Sequence, residues 1–424
     1  MKNERPVTAR NKGSNTLPAV PLPIASAHAS RAGKTVRTAA DLAINGAPPL
    51  FTEAVHVGRP NIGNHERFLE RARDILDSGW LSNNGPMLIE FEKRISEKLG
   101  VKNCVAMCNG TIALEIATRA LELHGEVIVP SYTFVATAHA LHWQEITPIF
   151  ADIDPVTQNL DPDAVRRMIT PRTTGIVGVH LWGRGAPVAE LSEIAAANNL
   201  RLMFDASHGF GCSHGGTLLG NFGDCEVFSF HATKFFNTFE GGAVVTNDDG
   251  LAEKMRLMRN FGFSGYDRVI YPGTNGKMTE IAAAMGLTNL EEIDNFVAIN
   301  RSNYHAYREE VRSLRGLRMV EFDDSERNNY QYIVLDVSPE FPVSRDRLVD
   351  ALHAENVLAR KYFWPGCHNM EPYRSHYPHA GLVLPITRRI AEQVVVLPTG
   401  SSMHLDDIRA IASVLRVLSS SPTS

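Results

Sequence analysis

The sequence predicts an α/β fold: a large, mostly parallel sheet of seven strands covered by helices, followed by a smaller C-terminal α+β domain. Three observations predict it. Between Val101 and about Asn247, short apolar runs alternate with helical stretches. The runs VIV, IVGV and LMF are apolar throughout, as expected of strands buried on both faces. Strand–helix alternation at this spacing builds a parallel sheet with helices on its faces, and ligands then sit outside the carboxyl ends of the strands.

Taken in order, the chain begins with a segment unlike the rest. Its first forty residues are rich in Pro, Ala, Ser and Thr, carry a basic excess (Lys2, Arg5, Arg10, Lys12, Arg31, Lys34 and Arg37 against Glu4) and show no helical period. Residues 1–48 are read as a disordered tail. Leu17–Ser30 is not read as a signal peptide, because Pro18, Pro21 and Pro23 interrupt the apolar core that a leader needs. The strands follow at Asn103–Cys108, Glu126–Val129, Pro148–Ile153, Gly175–Leu181, Arg201–Asp205, Cys225–Phe230 and Gly242–Thr246. After Gly110, the sets Ile112, Ile116, Ala120 and Ala113, Ala117, Leu121 mark one flank of an amphipathic helix. A long helical region covers Met278 to about Ser313. Tyr330–Val337 then reads as a strand, Arg345–Asn356 as a helix and Leu405–Leu418 as a last helix, before a frayed Ser419–Ser424. The predicted division is a tail over 1–48, a large domain over 49–295 and a small domain over 296–424.

Composition narrows the function. Of 424 residues, 44% are hydrophobic and 21% charged, enough for a core and unlike a disordered chain. A net charge of −5 argues against a nucleic-acid partner, which usually meets a basic domain. No run approaches the ~18–20 apolar residues that span a bilayer. The five cysteines form no C-x-x-C pair and read as reduced thiols of a cytoplasmic protein.

The chemistry lies at three strand ends. One finishes FDASHGFG, with Asp205 at its tip and His208 three residues on; another finishes FSFHATK, with Ser229, His231 and Lys234; an earlier one runs into Asn109-Gly110-Thr111 at the start of the amphipathic helix. Singly these are an N-cap, a solvated charge and a turn. Together they suit one ligand. A helix N-terminus with a Thr hydroxyl suits a phosphate, an Asp can hold a heterocyclic nitrogen protonated, and a desolvated Lys can attack a carbonyl. Phosphate, ring nitrogen and aldehyde are the three handles of pyridoxal 5′-phosphate (PLP). A flat side chain from Ser131–Phe134 would cover the ring.

In order along the chain, SNNGPMLIEFE, CNGTIALEIATRAL, VPSYTFVATAHA, FDASHGFG, FSFHATKFFNTFEGGAVVTND and GTNGKMTEIAAAMGL resemble the DegT/StrS family of PLP-dependent nucleotide-sugar aminotransferases, over about residues 50–415. The resemblance implies the fold-type I aminotransferase architecture and a homodimer with a shared active site. It makes Lys234 the catalytic amine joined to the cofactor and then the proton shuttle, pairs Asp205 with the pyridine nitrogen, and sets His208 against the phenolic oxygen. Phe134 falls where the family places its stacking aromatic; Gly110, Thr111 and Ser229 would bind the phosphate, with Asn275 of the partner subunit. It also implies L-glutamate as donor and a nucleotide-linked keto sugar as acceptor, a dTDP-4-keto-6-deoxyhexose aminated at C-4, for a surface polysaccharide or natural product. Relatives that remove a hydroxyl carry His in place of the lysine, so Lys234 favours transamination. Two departures stand out. Gly273-Thr274-Asn275-Gly276-Lys277 lacks an aromatic and an Arg found in many relatives, and Phe235 and Phe236 follow the lysine, which points to a reshaped sugar pocket. The alternatives are a keto-inositol aminotransferase, a PLP-dependent sugar dehydratase and a non-catalytic PLP-binding regulator.

Other motifs carry less. GFGCSHGG (Gly209–Gly216) has His214 where a dinucleotide fingerprint needs its last Gly. His139/His142 and His208/His214 lack the partners of a metal site, and no metal is expected. The aromatic, basic stretch Ala359–Ser375 is either a packed loop of the small domain or a loop that brings Lys361, Tyr362 and Trp364 to the substrate.

Overall fold

The computed structural model describes residues 31–420. The large sheet consists of β1 (Asn103–Met107), β2 (Glu126–Pro130), β3 (Thr147–Ala151), β4 (Thr173–Val179), β5 (Arg201–Asp205), β6 (Cys225–Ser229) and β7 (Gly242–Thr246). All seven expected strands are present, and no end moves by more than two residues. Their order across the sheet is β1-β7-β6-β5-β4-β2-β3. Only β7 runs against its neighbours. Every residue of β2 and β7 is buried, which is why these strands read as continuous apolar runs. β4 stops at Val179 rather than at Leu181 because the chain turns there, with Trp182 at a φ of 61°.

Helix α1 (Gly110–Ala120) follows β1 and packs its apolar flank on the sheet, through Ala113, Ala117 and Ala120; α2 (Ala136–His142) follows β2. The long helical region is two helices, α3 (Glu280–Glu291) and α4 (Ile293–Val311). The expected boundary at residue 296 falls inside α4. That helix spans both bodies: Ile293 and Phe296 pack with the large domain, Tyr304, Tyr307 and Val311 with the small one. The small sheet is antiparallel, β8 (Leu317–Met319), β9 (Ile333–Val337) and β10 (Val394–Leu397), with β9 in the middle. β9 begins three residues later than expected, after Tyr330 at a φ of 50°.

The tail assigned to residues 1–48 lies outside the described residues up to residue 30. From residue 31 on, the chain is packed against the small domain. Val36 and Leu42 join its core, and the Val36 N–H donates to Ser413 Oγ at 3.0 Å. The fully buried Glu355 accepts from the N–H groups of Ala43 and Leu50 at 2.6 and 2.7 Å. Residues 50–57, expected in the large domain, also belong here: Leu50, Phe51 and Val55 are in the small-domain core, and strand Val55–His56 pairs with Val357–Leu358. Basic and Pro-rich composition hid the few apolar residues that anchor this strap. The Gly209–Gly216 stretch forms a small hairpin, Ser213–His214 against Thr217–Leu218, whose Gly215-Gly216 turn has positive φ at both residues. Among the described residues, no helix is long and apolar enough to cross a membrane, and no cluster of metal-ligating side chains occurs.

Candidate active site

A cavity of about 310 Å³ opens at the carboxyl ends of β1, β5 and β6. It collects Gly110, Thr111, Phe134, Asp205, His208, Ser229 and Lys234, seven of the eight expected site residues. Asn275 does not line it. That residue is exposed, on an isolated bridge with Asn260, in a segment whose Gly276 oxygen accepts from the Cys108 N–H at 2.8 Å.

The β1 exit becomes an anion site through local chemistry. Asn109 caps α1, its Oδ1 accepting from the Ile112 N–H at 2.8 Å. The N–H groups of Gly110 and Thr111 have no acceptor within the helix, as in any first turn. Space favours Gly110: a Cβ there would stand 3.0 Å from Ser229 Cβ, tighter than ordinary contact. The close approach puts α1 and the β6 exit side by side, with the Thr111 and Ser229 hydroxyls on the same cavity wall.

Asp205 ends β5 buried, with Oδ2 accepting from Thr137 Oγ at 2.8 Å and Oδ1 from the Ser207 N–H at 3.0 Å. Thr137 lies in α2, within the VPSYTFVATAHA stretch, but sequence reasoning did not single it out. His208 is buried, and its Nδ1 accepts from the Trp182 N–H at 3.2 Å, the turn at Trp182 aiming that N–H. Burial, then the positive charge of Lys234, holds its pKa well below the usual histidine value. The ring is therefore neutral with its proton on Nε2. Lys234 sits in a tight loop whose Lys234 N–H donates to the His231 oxygen and whose Phe230 N–H donates to the Gly241 oxygen. Desolvation lowers its pKa to about 8, against the opposing pull of Asp205. A carboxylate, a neutral imidazole and an amine with a depressed pKa thus share one cavity with a helix N-terminus. The donor set fits a phosphate-bearing pyridine aldehyde at each of its handles.

Phe235 and Phe236 do not line this cavity. Both are buried, Phe236 against Phe91, Phe210 and Phe230, behind the lysine loop. The opposite cavity wall comes from the small domain: Tyr332, Tyr362 and Phe363. Phe363 stacks on Trp182 at 5.3 Å and on Tyr362 at 5.1 Å, and the Tyr132 hydroxyl donates to the Tyr362 oxygen at 2.6 Å. Of the three residues singled out in the 359–375 stretch, only Tyr362 lines the cavity. Lys361 pairs with Asp346 at 2.7 Å, and Trp364 is outside the lining. Farther along the stretch, Cys367 and Tyr373 lie in the large-domain core.

Comparison with known proteins gives one family. Residues 63–416 match the model of the DegT/DnrJ/EryC1/StrS aminotransferase family. The dTDP-4-amino-4,6-dideoxy-D-glucose transaminase of Shigella dysenteriae is 37% identical over 364 residues, 85% of this chain and 98% of its own. The GDP-perosamine synthase of Caulobacter vibrioides is 35% identical over 375 residues, 86% of this chain and 98% of its own. The crystal structure of DesI in the presence of its TDP-sugar product superposes with a TM-score of 0.86 at 48% identity, covering 90% of this chain and 96% of DesI.

Proposed function

Because the chain belongs to the DegT/DnrJ/EryC1/StrS aminotransferase family, we propose that it moves an amino group from L-glutamate to C-4 of a dTDP-linked 4-keto-6-deoxyhexose. The chain is a PLP-dependent aminotransferase acting in nucleotide-sugar chemistry. One observation carries the acceptor: the likeness to DesI, which was crystallised with its TDP-sugar product, extends over nearly the whole chain.

In this reading PLP supplies an aldehyde that accepts the amino group and a ring that draws electron density from the reacting carbon. Lys234 would hold that aldehyde through its amine and, once freed, would serve as the base that takes the donor's α-proton and, in the second half, as the acid that supplies a proton to the sugar carbon. Asp205, oriented by Thr137 and Ser207, keeps the pyridine nitrogen protonated. His208 donates from Nε2 to the phenolic oxygen, its tautomer set by the Trp182 N–H. The N–H groups of Gly110 and Thr111 and the hydroxyls of Thr111 and Ser229 bind the phosphate, and Phe134 covers the ring. Asn275 of the partner subunit completes the phosphate site in a homodimer; its exposure and its absence from the cavity of its own chain are consistent with that role. Donor and acceptor exchange by turns at one site, which makes the kinetics ping-pong.

The test is direct. Holoenzyme with glutamate and a panel of nucleotide 4-keto and 3-keto sugars beside a keto-inositol should aminate the dTDP-4-keto sugar, read by product mass. Amination of the inositol alone would overturn the acceptor assignment. Dehydration without amine formation would overturn the reaction class.

A further inference from the structure

Two buried amide side chains stand behind His208, in a loop that takes no part in the cavity lining. Beyond β3, residues 152–160 form a tight loop closed by the bridge of Ile153 to Leu160. Within it the Gln158 N–H donates to the Asp154 oxygen at 2.9 Å and the Asp154 N–H to the Asn159 oxygen at 2.8 Å. Gln158 and Asn159 are 1% and 2% exposed, and both side chains act on the segment that follows β4. Asn159 Oδ1 accepts from the Leu181 N–H at 3.0 Å, and the Asn159 amide donates to the Gly185 oxygen at 2.9 Å and the Arg184 oxygen at 3.3 Å. Gln158 Oε1 accepts from the Trp182 indole N–H at 2.8 Å. Between these bonds sits an unfavourable backbone. Trp182, bulky as it is, has a φ of 61°, and Gly183 follows at 85°, where a Cβ would stand 2.9 Å from the His208 oxygen. A large side chain in the left-handed region persists only where its surroundings fix it.

The consequence falls on His208. The turn aims the Trp182 N–H at His208 Nδ1, 3.2 Å away, and the indole lies nearly parallel to the imidazole, at 16° with 5.8 Å between ring centroids. The N–H occupies the Nδ1 lone pair and so keeps the proton on Nε2, while the indole fixes the plane in which Nε2 points. Among the described residues the Gln158 amide nitrogen has no acceptor, a cost its side chain carries beside its bond to the indole. We propose that Asn159 and Gln158 are positioning residues for the amino transfer: Asn159 through the turn, and Gln158 through the indole, hold His208 as a hydrogen-bond donor to the phenolic oxygen of the cofactor. The inference rests on the placement of His208 in the reading given above. It adds that a loop leaving the edge strand of the large sheet, three strands away from β5, sets the state of the side chain that meets the cofactor.

The visible absorbance of the PLP-loaded enzyme, titrated with pH, reads this hydrogen bond. The link between Lys234 and the cofactor shares a proton with the phenolic oxygen; a donor from His208 competes for that oxygen and lets the proton leave at lower pH. Loss of the donor should therefore raise the midpoint of the titration, by about one pH unit in His208→Ala and by about half a unit in Asn159→Ala and in Gln158→Met. Thermal melts and cofactor content establish that each variant folds and loads. In a His208→Ala background the same two changes should add nothing, because the ring they act through is gone. Unmoved midpoints in folded Asn159→Ala and Gln158→Met, with that of His208→Ala moved, would overturn the inference and leave the reading of His208 in place. Equal shifts with and without the His208 ring would assign the two amides to general structure and overturn it as well. Should Asn159→Ala fail to fold, Gln158→Met decides alone, since it preserves side-chain length and leaves the Asn159 bonds in place. An unmoved midpoint in His208→Ala would remove His208 from the phenolic oxygen, and the inference with it.

Discussion

The cavity has two walls made in different ways. The wall built by β1, β5 and β6 is local: each strand delivers its polar residues within a few positions of its own end, Gly110 and Thr111 after β1, Asp205 and His208 at and after β5, Ser229 to Lys234 after β6. The facing wall, Tyr332, Tyr362 and Phe363, is a stack assembled across the two domains, in which Phe363 rests on Trp182 and His208. The strand-end wall places charge and donors, and the aromatic wall supplies shape and excludes water. Changes on the first should therefore strike chemistry, and changes on the second should strike stability and acceptor choice.

The largest effect should come from the amine. Lys234→Ala should lower turnover on the order of 10⁴-fold or more while the fold persists, measured as amine product per active site; a variant within tenfold of wild type would take Lys234 out of the mechanism. Asp205→Asn should still bind the cofactor but lose about 10²–10³-fold in kcat. Near-normal turnover would show that the carboxylate places a group without driving the reaction.

Titration sharpens the comparison further. Burial lowers the Lys234 pKa to about 8 from the ordinary 10.5. Below 8 the amine is mostly protonated and cannot attack, so capture of PLP by the cofactor-free protein should rise with pH, roughly tenfold per unit, and level off above 8. An absorbance-monitored rate that keeps climbing to 10.5 would mean the amine is solvated. On the aromatic wall, Phe363→Ala should cost about 3–5 kcal/mol of unfolding free energy, by denaturant titration, with donor turnover reduced less than tenfold. A loss of donor turnover like that of Asp205→Asn would erase the distinction between the walls. The smallest effect concerns the strap. Glu355→Ala strands the Ala43 and Leu50 N–H groups and should cost about 1–3 kcal/mol, again without changing the chemistry at Lys234.

This division also governs what was legible beforehand. A strand end, a cap and a lysine a few residues on lie within one stretch of sequence, so the first wall and all seven large-sheet strands could be read directly. Tyr332 and Phe363 sit in a second domain; the aromatic stretch around Phe363 left a packed loop and a loop at the substrate equally open, and only the tertiary pairing of that domain with Tyr132 and Trp182 brings these side chains in. Thr137 was hidden for another reason. One hydroxyl aimed at Asp205 looks like any polar residue at the start of a helix. The strap over 31–57 was obscured by composition, since its anchors Val36, Leu42 and Phe51 are scattered among polar and proline residues while their partners lie about three hundred positions away.

The contact of Gly110 with Ser229 constrains how such an enzyme could be retooled. A single methyl group at position 110 would push against β6 just ahead of the lysine loop. The wall that carries the anion-binding N–H groups and the strand end that leads into the lysine loop are therefore in direct contact, so a change at one is felt at the other. Tinkering with acceptor scope, in the laboratory or in lineages, is left the aromatic side, where side chains can be exchanged without disturbing that contact.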